Sequence, residues 1–153
     1  MTDESEAFRH ALAELVRETG CVVDLASEHG RWKLYQAAFG SLDLLYVALA
    51  HEPDTVLRTS VLLRVFEQVD DHARWLELAP DDEYARRRSR EIGVLRRAVN
   101  MVPAEVDLPG WSDWLQLRLA ETSSRELLTA LADGGRTRRI RRTAAATLRT
   151  VPD

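Results

Sequence analysis

The strongest constraint on the fold is a pair of glycines near the end of the chain, together with the arginine-rich segment that follows them. Gly134 and Gly135 predict a helix stop and a turn, because glycine adopts a positive φ angle without a clash at Cβ. After the turn, apolar residues recur at spacings of four, four and three, the period of an amphipathic helix. These residues are Ile140, Ala144, Leu148 and Val151. The preceding segment, residues 123–132, has a helical pattern as well, so the two segments predict a helical hairpin.

The rest of the chain shows the same helical period. No stretch sustains the apolar–polar alternation of a half-buried strand, and turn signals interrupt the chain repeatedly, so we predict an all-α fold. Gly30 is predicted to end the second helix, and Gly40 with Ser41 to kink or split the third. A short helix is predicted around Trp75. The other helices expected before residue 123 cover residues 5–18, 21–29, 31–50, 56–69, 82–102 and 111–121.

Length and cysteine content limit the class of protein. A chain of 153 residues predicts one domain, residues 1–153, with a core that needs neither disulfides nor metals. Cys21 is the only cysteine, which excludes an internal disulfide and a cysteine-based zinc site and fits a reducing compartment. The acidic N-terminus lacks a signal-peptide core, and no apolar run is long enough to span a bilayer. We therefore expect a cytoplasmic protein with no membrane association.

The net charge of −4 conceals an asymmetry along the chain. Residues 1–84 carry 7 basic and 17 acidic residues, a net charge of −10, whereas residues 85–153 carry 14 and 8, a net charge of +6. The charges either form an acidic and a basic surface or compensate one another inside the fold.

Two of the predicted helices carry arginines at spacings of four and then seven, opposite their apolar faces. These residues are Arg86, Arg90 and Arg97 in one helix, and Arg138, Arg142 and Arg149 in the other. Parallel helices would present two basic ridges, which suit an acidic protein or a phosphate backbone. The alternative is that the arginines are solvated or pair with carboxylates of neighbouring helices. Candidate carboxylates are Asp113, Glu121 and Glu126.

Trp111 and Trp114 lie three residues apart and would share one face of a helix. Exposed, they would form a binding anchor or a platform on which nucleobases stack. Buried, they would belong to the core, which is the interpretation we favour, although both are retained as site candidates.

No catalytic motif is present. The glycines form no phosphate-binding loop, there is no Gly-x-Ser-x-Gly elbow, and the four histidines lie in different segments. The one metal-like cluster, residues 70–72, is explained as a helix start with N-terminal carboxylates. Asp43 is expected to be partly buried, with Arg31, Lys33 or Tyr35 as its partner. We predict no enzymatic activity, no metal and no cofactor.

Three segments share a pattern of an aliphatic residue, an arginine and, two or three positions later, further apolar residues. They are residues 57–62, 95–100 and 140–145, whose starts lie 38 and 45 residues apart. The pattern resembles the second helix of HEAT-type repeats, most clearly in residues 123–149. The resemblance implies stacked antiparallel helical hairpins in a short α-solenoid. An irregular helical bundle is the alternative.

These features favour a non-enzymatic protein-interaction module that binds an acidic protein partner through its arginine-lined helices. A nucleic-acid-binding helical solenoid is the second hypothesis, against which the net negative charge stands. A third hypothesis is a HEAT-like alkylpurine DNA glycosylase, since those proteins use aromatic, arginine and aspartate residues on a concave surface. Residues of these types here are Trp111, Trp114, Arg118 and Asp113. The two end faces of so short a solenoid can also pair, which leaves a homodimer open.

Overall fold

The computed structural model describes residues 2–122 and 124–152, with only the backbone of Thr2. Over these residues the chain forms α-helices and short 3₁₀ turns and no strand, which confirms the all-α prediction. No helix in this part of the chain has the length and apolar character needed to cross a bilayer. Contacts divide the chain into two compact units, Met1–Ser89 and Arg90–Asp153. The prediction of one domain stays a prediction, and the units are described separately.

The first unit is built on packed pairs of helices. Helix α1 contacts α2 and α3, and α2 also packs on α4. Fully buried side chains at the centre include Leu15, Leu34, Leu45, Leu62 and Phe66. The helices are α1 (Thr2–Thr19), α2 (Glu28–Ala37), α3 (Leu42–His51), α4 (Thr55–Gln68), α5 (Ala73–Leu76) and the start of α6 (Glu83–Arg97).

The prediction of a helix over residues 21–29 is wrong. Residues 20–27 form a loop, and α2 begins at Glu28 with the Ser27 hydroxyl accepting a hydrogen bond from the Gly30 amide at 3.3 Å. Gly30 does not end a helix but lies inside α2, where a Cβ atom would be 2.0 Å from the carbonyl oxygen of Asp24. The glycine is required because the loop packs directly against the helix backbone. The split at Gly40 and Ser41 is confirmed, since α2 ends before it and α3 follows.

The second unit contains a helical hairpin, as predicted. Helix α8 packs along α9, and α7 contacts both. The hairpin encloses a core whose buried members include Trp111, Leu115, Leu119, Leu128, Leu131 and Ile140. Ser123, where the sequence pattern of this hairpin starts, lies outside the described residues. The helices are α7 (Asp113–Leu119), α8 (Arg125–Gly134) and α9 (Arg138–Leu148), preceded by 3₁₀ turns at Ala98–Asn100, Pro103–Glu105 and Leu108–Gly110.

The predicted helix over residues 82–102 is shorter than expected. Helix α6 ends at Arg97, and a 3₁₀ turn follows from Ala98. Because a 3₁₀ turn has about three residues per turn, fewer than an α-helix, the residues after Arg97 do not continue the apolar face of α6. Val99 and Val102 lie seven and ten residues after Ile92, so a continuous helix over residues 82–102 would direct them to the core with it, but they are 72% and 54% exposed. The HEAT-like solenoid and the irregular bundle both stay predictions for the whole chain.

Asp82 caps the start of α6 and gives a prediction for acid stability. Its Oδ1 accepts a hydrogen bond from the Ala85 amide at 3.0 Å, and its Oδ2 accepts one from the Thr59 hydroxyl. Burial alone would raise the pKa of Asp82, but these hydrogen bonds outweigh it and hold the pKa below its ordinary value. We expect Asp82→Ala to lower the free energy of unfolding at pH 7 by about 1–2 kcal/mol, as for other N-caps.

The pH dependence of that difference follows from the lowered pKa of Asp82. A carboxylate with a depressed folded-state pKa stabilises the protein above its unfolded pKa, about 4, and this stabilisation is lost as the pH falls through the folded pKa. Urea unfolding at pH 7 and pH 3 should therefore show a smaller difference between wild type and variant at pH 3. The control is Asp81→Ala at the exposed neighbouring position, with an expected change under about 0.5 kcal/mol. An equal loss in the two variants would contradict the capping role.

Candidate functional site

Helix α9 presents an apolar face to the core and an arginine face to solvent. Ile140 and Ala144 are buried in the core of the second unit, as its sequence pattern predicts. Opposite them, the side chains of Arg138, Arg142 and Arg149 are exposed. At about 100° and 1.5 Å per residue, the three Cα positions fall within about 40° of one another and extend for roughly 16 Å along the helix. They form one straight line, which we call the α9 arginine line.

The charges of the α9 arginine line are not compensated within the described part of the chain. Helix α9 contains no acidic residue, and its first turn is basic. Across residues 2–122 and 124–152, none of Arg138, Arg142 and Arg149 has an ion pair or a side-chain hydrogen bond. Because exposed guanidinium groups keep all five donors available, this line can receive carboxylates or phosphates.

Other arginines of this hairpin have structural roles. The Arg141 Nη1 atom donates to the carbonyl oxygen of Gly135 at 2.7 Å. Arg136 donates from Nη1 to the Asp113 carboxylate at 2.7 Å and from Nη2 to the carbonyl oxygen of Trp111 at 2.6 Å. Asp113, expected as a possible partner of the ridges, therefore pairs with Arg136. Arg136 and Arg141 therefore stabilise the loops around the hairpin through hydrogen bonds, whereas the arginines of the α9 arginine line are directed to solvent.

The arginines of α6 differ from those of α9. Arg86 pairs with Glu83 at 3.4 Å one turn away, and Arg90 also has an interaction within the protein. All three predicted residues, Arg86, Arg90 and Arg97, are exposed. Arg86 belongs to the first unit, whereas the other two belong to the second, so this series is not carried by one unit. We therefore place the candidate site on α9.

The structure separates the two tryptophans that the sequence grouped as site candidates. Trp111 is 6% exposed and belongs to the core, which is the favoured interpretation of its pattern. Trp114 is half-buried against the same core, with the Arg118 guanidinium 5.5 Å from its ring centroid. Because Trp111 is covered, the two residues do not form an exposed stacking platform.

A buried ionic cluster in the first unit was missed by the sequence analysis. The Glu52 carboxylate accepts hydrogen bonds from Arg31 Nε at 2.9 Å, from Arg31 Nη2 at 3.1 Å and from the Tyr35 hydroxyl at 2.6 Å. Arg31 Nη1 also donates to the carbonyl oxygens of Leu25 and Ala26 at 3.1 and 3.2 Å. The donors and acceptors of the cluster satisfy one another, which indicates a structural role.

The environment of this cluster shifts two pKa values upward. Burial raises the pKa of Tyr35, and the hydrogen bond to the Glu52 carboxylate raises it further. Burial alone would lower the pKa of Arg31, but the hydrogen bond and charge of Glu52 outweigh that effect, so the pKa is raised. A signal for the cluster was present in the sequence, because Arg31 and Tyr35 lie four residues apart and so share a face of α2.

The expectation that Asp43 is partly buried is wrong. Its side chain is 89% exposed, and its Oδ1 lies 2.9 Å from Nη1 of Arg74 in a surface ion pair. Arg31 and Tyr35, proposed as its partners, bind Glu52 instead. Asp43 lies in the first turn of α3, on the solvent side of a helix whose other residues are almost all apolar.

The cluster at residues 70–72 has a structural explanation. The His72 Nε2 atom lies 2.8 Å from the carbonyl oxygen of Phe66 and 3.1 Å from that of Val69, so it carries the proton. Its Nδ1 atom then accepts from the Ser89 hydroxyl at 2.8 Å. Within the described ranges, no three histidine, cysteine or acidic side chains are placed to hold a metal ion.

No protein-family model, curated protein sequence or solved structure matches this chain. Its function therefore has to be inferred from the geometry and charge of its own side chains.

Proposed function

We propose that this protein is a non-enzymatic interaction module that binds an acidic protein partner through α9. One observation carries the proposal: Arg138, Arg142 and Arg149 form a straight, exposed line with no ion pair among the described residues. A guanidinium group binds a carboxylate through two parallel hydrogen bonds, which gives the contact both strength and direction. The buried stripe of α9 fixes the helix on the second unit, so the line is held by a rigid element.

The spacing of the α9 arginine line suggests the shape of the partner. Successive arginines are separated by about 6 and 10 Å along the helix axis, from four and seven residues at 1.5 Å each. Carboxylates on one face of an acidic α-helix repeat at the same distances, so such a helix lying antiparallel or parallel to α9 can contact all three. We infer that the partner presents an acidic helix.

The charge distribution favours an acidic protein segment over a nucleic acid. Residues 90–153 carry 11 arginines and 8 acidic residues, a net charge of +3, whereas residues 1–89 carry 10 basic and 17 acidic residues, a net charge of −7. Nucleic-acid affinity depends on neutralising several phosphates, and a chain with an overall charge of −4 repels a long polyanion. A short acidic segment meets only the local charge of α9.

The test is a triple charge reversal, Arg138→Glu, Arg142→Glu and Arg149→Glu. We expect at least a tenfold loss of affinity for the partner, since three exposed pairs of about 0.5 kcal/mol each are replaced by repulsion. The matched control reverses Arg9, Arg17 and Arg64, three exposed arginines of the first unit, and changes the net charge equally. Glutamate at position 138 is favourable to the helix dipole and glutamate at position 149, the C-cap of α9, is unfavourable, so the two effects offset one another. Circular dichroism verifies that the variant folds.

Two assays measure binding to α9, one with natural partners and one with a designed acidic helix. The first is quantitative recovery of bound proteins from nuclease-treated lysate with wild type, triple variant and control. The second titrates an alanine-rich helical peptide with glutamates spaced by four and seven residues against a scrambled peptide of equal composition. Binding of the ordered peptide that is lost only in the triple variant supports the proposal. Equal binding by the triple variant would refute it, and recovery of partners only through nucleic acid would favour the nucleic-acid alternative.

The finer predictions of fold and location belong to the same proposal. The α8–α9 hairpin, with Ile140 and Ala144 buried, supports a HEAT-like arrangement of hairpins, and the single cysteine is compatible with a cytoplasmic location. Sedimentation of the purified chain tests the homodimer that the end faces of a short solenoid would allow.

A further inference from the structure

A cleft of about 350 Å³ opens in the second unit between α8 and the connector that precedes α7. Its volume lies within the usual range of small-molecule sites, about 300–1,000 Å³. The lining is largely apolar and comes from both sides of the cleft. The apolar lining residues that matter here are Met101, Pro103, Val106, Leu108, Leu127 and Ala130.

One wall of the cleft is held in place by hydrogen bonds behind it. Gln116, which is 1% exposed, donates from Nε2 to the carbonyl oxygens of Leu108 and Trp111 at 2.8 and 3.3 Å. The Arg136 Nη2 atom donates to the carbonyl oxygens of Leu108 and Pro109, both at 3.3 Å. The Gln116 Oε1 atom accepts from the Arg136 amide at 2.9 Å. Because this network fixes Leu108 and Pro109 in advance, a ligand does not have to order this part of the wall on binding.

The charge of the cleft is opposite to that of the unit around it. Residues 90–153 contain 11 arginines, yet none of them lines the cleft. Glu126, in the first turn of α8, is the one charged side chain among the described lining residues. Within residues 2–122 and 124–152, Glu126 has no ion pair or side-chain hydrogen bond. A carboxylate beside an apolar cavity selects a ligand with a cationic group and an apolar body.

We propose that this cleft is a binding site for a small amphipathic cation. The apolar or aromatic part of the ligand lies between Leu108 and Leu127, and its ammonium group pairs with the Glu126 carboxylate. This site is separate from the α9 arginine line, uses the opposite charge and does not depend on the protein partner proposed above.

The probe is 1-naphthylmethylammonium, titrated into the full-length protein and followed by naphthyl fluorescence and amide chemical shifts. An affinity in the millimolar to sub-millimolar range is expected for a ligand of about twelve non-hydrogen atoms. The oppositely charged 1-naphthylacetate should bind at least five-fold more weakly. Glu126→Gln should lower the affinity for the ammonium probe about five-fold while leaving that for naphthylacetate unchanged or higher. Ala130→Leu, which fills the cleft, should remove binding of both probes.

The matched control is Glu121→Gln, an exposed glutamate of the same unit that does not line the cleft. It should bind the ammonium probe as the wild type does. Three results would each overturn the proposal: no saturable binding of the ammonium probe by wild type, equal affinity for the two probes, or equal loss of affinity in the two glutamine variants. Retained binding by Ala130→Leu, with its fold verified by circular dichroism, would place the ligand elsewhere and would also overturn it.

Discussion

Replacing Glu52 with glutamine should lower the free energy of unfolding by about 3–5 kcal/mol, which is the cost of breaking a buried ion pair from one side. The Glu52 side chain is 0% exposed and that of Arg31 is 11% exposed, so little water can replace the lost charge. The neutral amide leaves the Arg31 guanidinium charged and without its anion. The same change also weakens the short hydrogen bond from the Tyr35 hydroxyl.

Urea unfolding followed by circular dichroism at pH 7 measures this effect. The double variant Arg31→Met with Glu52→Leu should be less destabilised than Glu52→Gln, because neither buried charge then remains. The control is Asp43→Asn, which removes an exposed ion pair with Arg74 and should change stability by about 0–1 kcal/mol. A loss below about 1 kcal/mol for Glu52→Gln would show that water reaches the cluster.

Alkaline pH provides an independent measure of the same cluster. The folded-state pKa of Tyr35 is raised above its ordinary value, first by burial and then by the Glu52 hydrogen bond. The protonated Tyr35 hydroxyl therefore contributes fully to the stability of the folded protein below the pKa of tyrosine in the unfolded chain, about 10. This contribution decreases as the pH rises above that value, because only the unfolded chain releases the tyrosine proton. Tyr35→Phe should reduce this decrease, whereas substitution of the exposed Tyr84 should not.

Gly30→Ala is the second change expected to have a large effect. A Cβ atom at this position would lie 2.0 Å from the carbonyl oxygen of Asp24 and 2.8 Å from its carbonyl carbon. Both are backbone atoms, so the loop at residues 20–27 has to move away from α2. We expect a loss of about 1–3 kcal/mol or more, the range for overpacking, in thermal or urea unfolding.

Gly93→Ala is the matched control for Gly30→Ala. Gly93 also lies inside a helix, but the nearest atom to its Cβ position is Nη1 of Arg97 at 3.5 Å, on a flexible side chain. Alanine should therefore stabilise the protein by about 0.5–1 kcal/mol through its higher helix propensity. If both alanine variants gained stability, the close approach of the loop to α2 would be disproved.

The local rules of helix formation predicted much of the secondary structure. Asp54 caps α4 through the Leu57 amide at 2.9 Å, and Ser112 caps α7 through the Leu115 amide at 3.2 Å. Aspartate and serine are preferred at this position, and each stands directly before a segment with helical apolar spacing. The buried and exposed faces of α9 follow from residues three and four apart in one helix. Such features depend on neighbours within one or two turns, so one sequence is enough to predict them.

Burial between distant segments required the tertiary structure. Glu52 and Arg31 are 21 residues apart, and nothing in the sequence next to Glu52 marks it as a buried residue. Asp43 is the opposite case, because it was predicted to be partly buried and is exposed. Trp111 lies just before α7, outside the helix in which the sequence pattern placed it with Trp114. It is buried in the core that α7, α8 and α9 form, and only this packing decided that it is covered.

The sequence by itself determined that this chain is all-α, where most helices begin and which face of α9 carries arginine, because hydrogen bonding and side-chain period are local. The tertiary structure decided which carboxylate is buried, why Gly30 cannot be another residue and where an apolar cleft lies. These depend on contacts between segments far apart in the chain, and a pattern of residue types does not specify which segments meet.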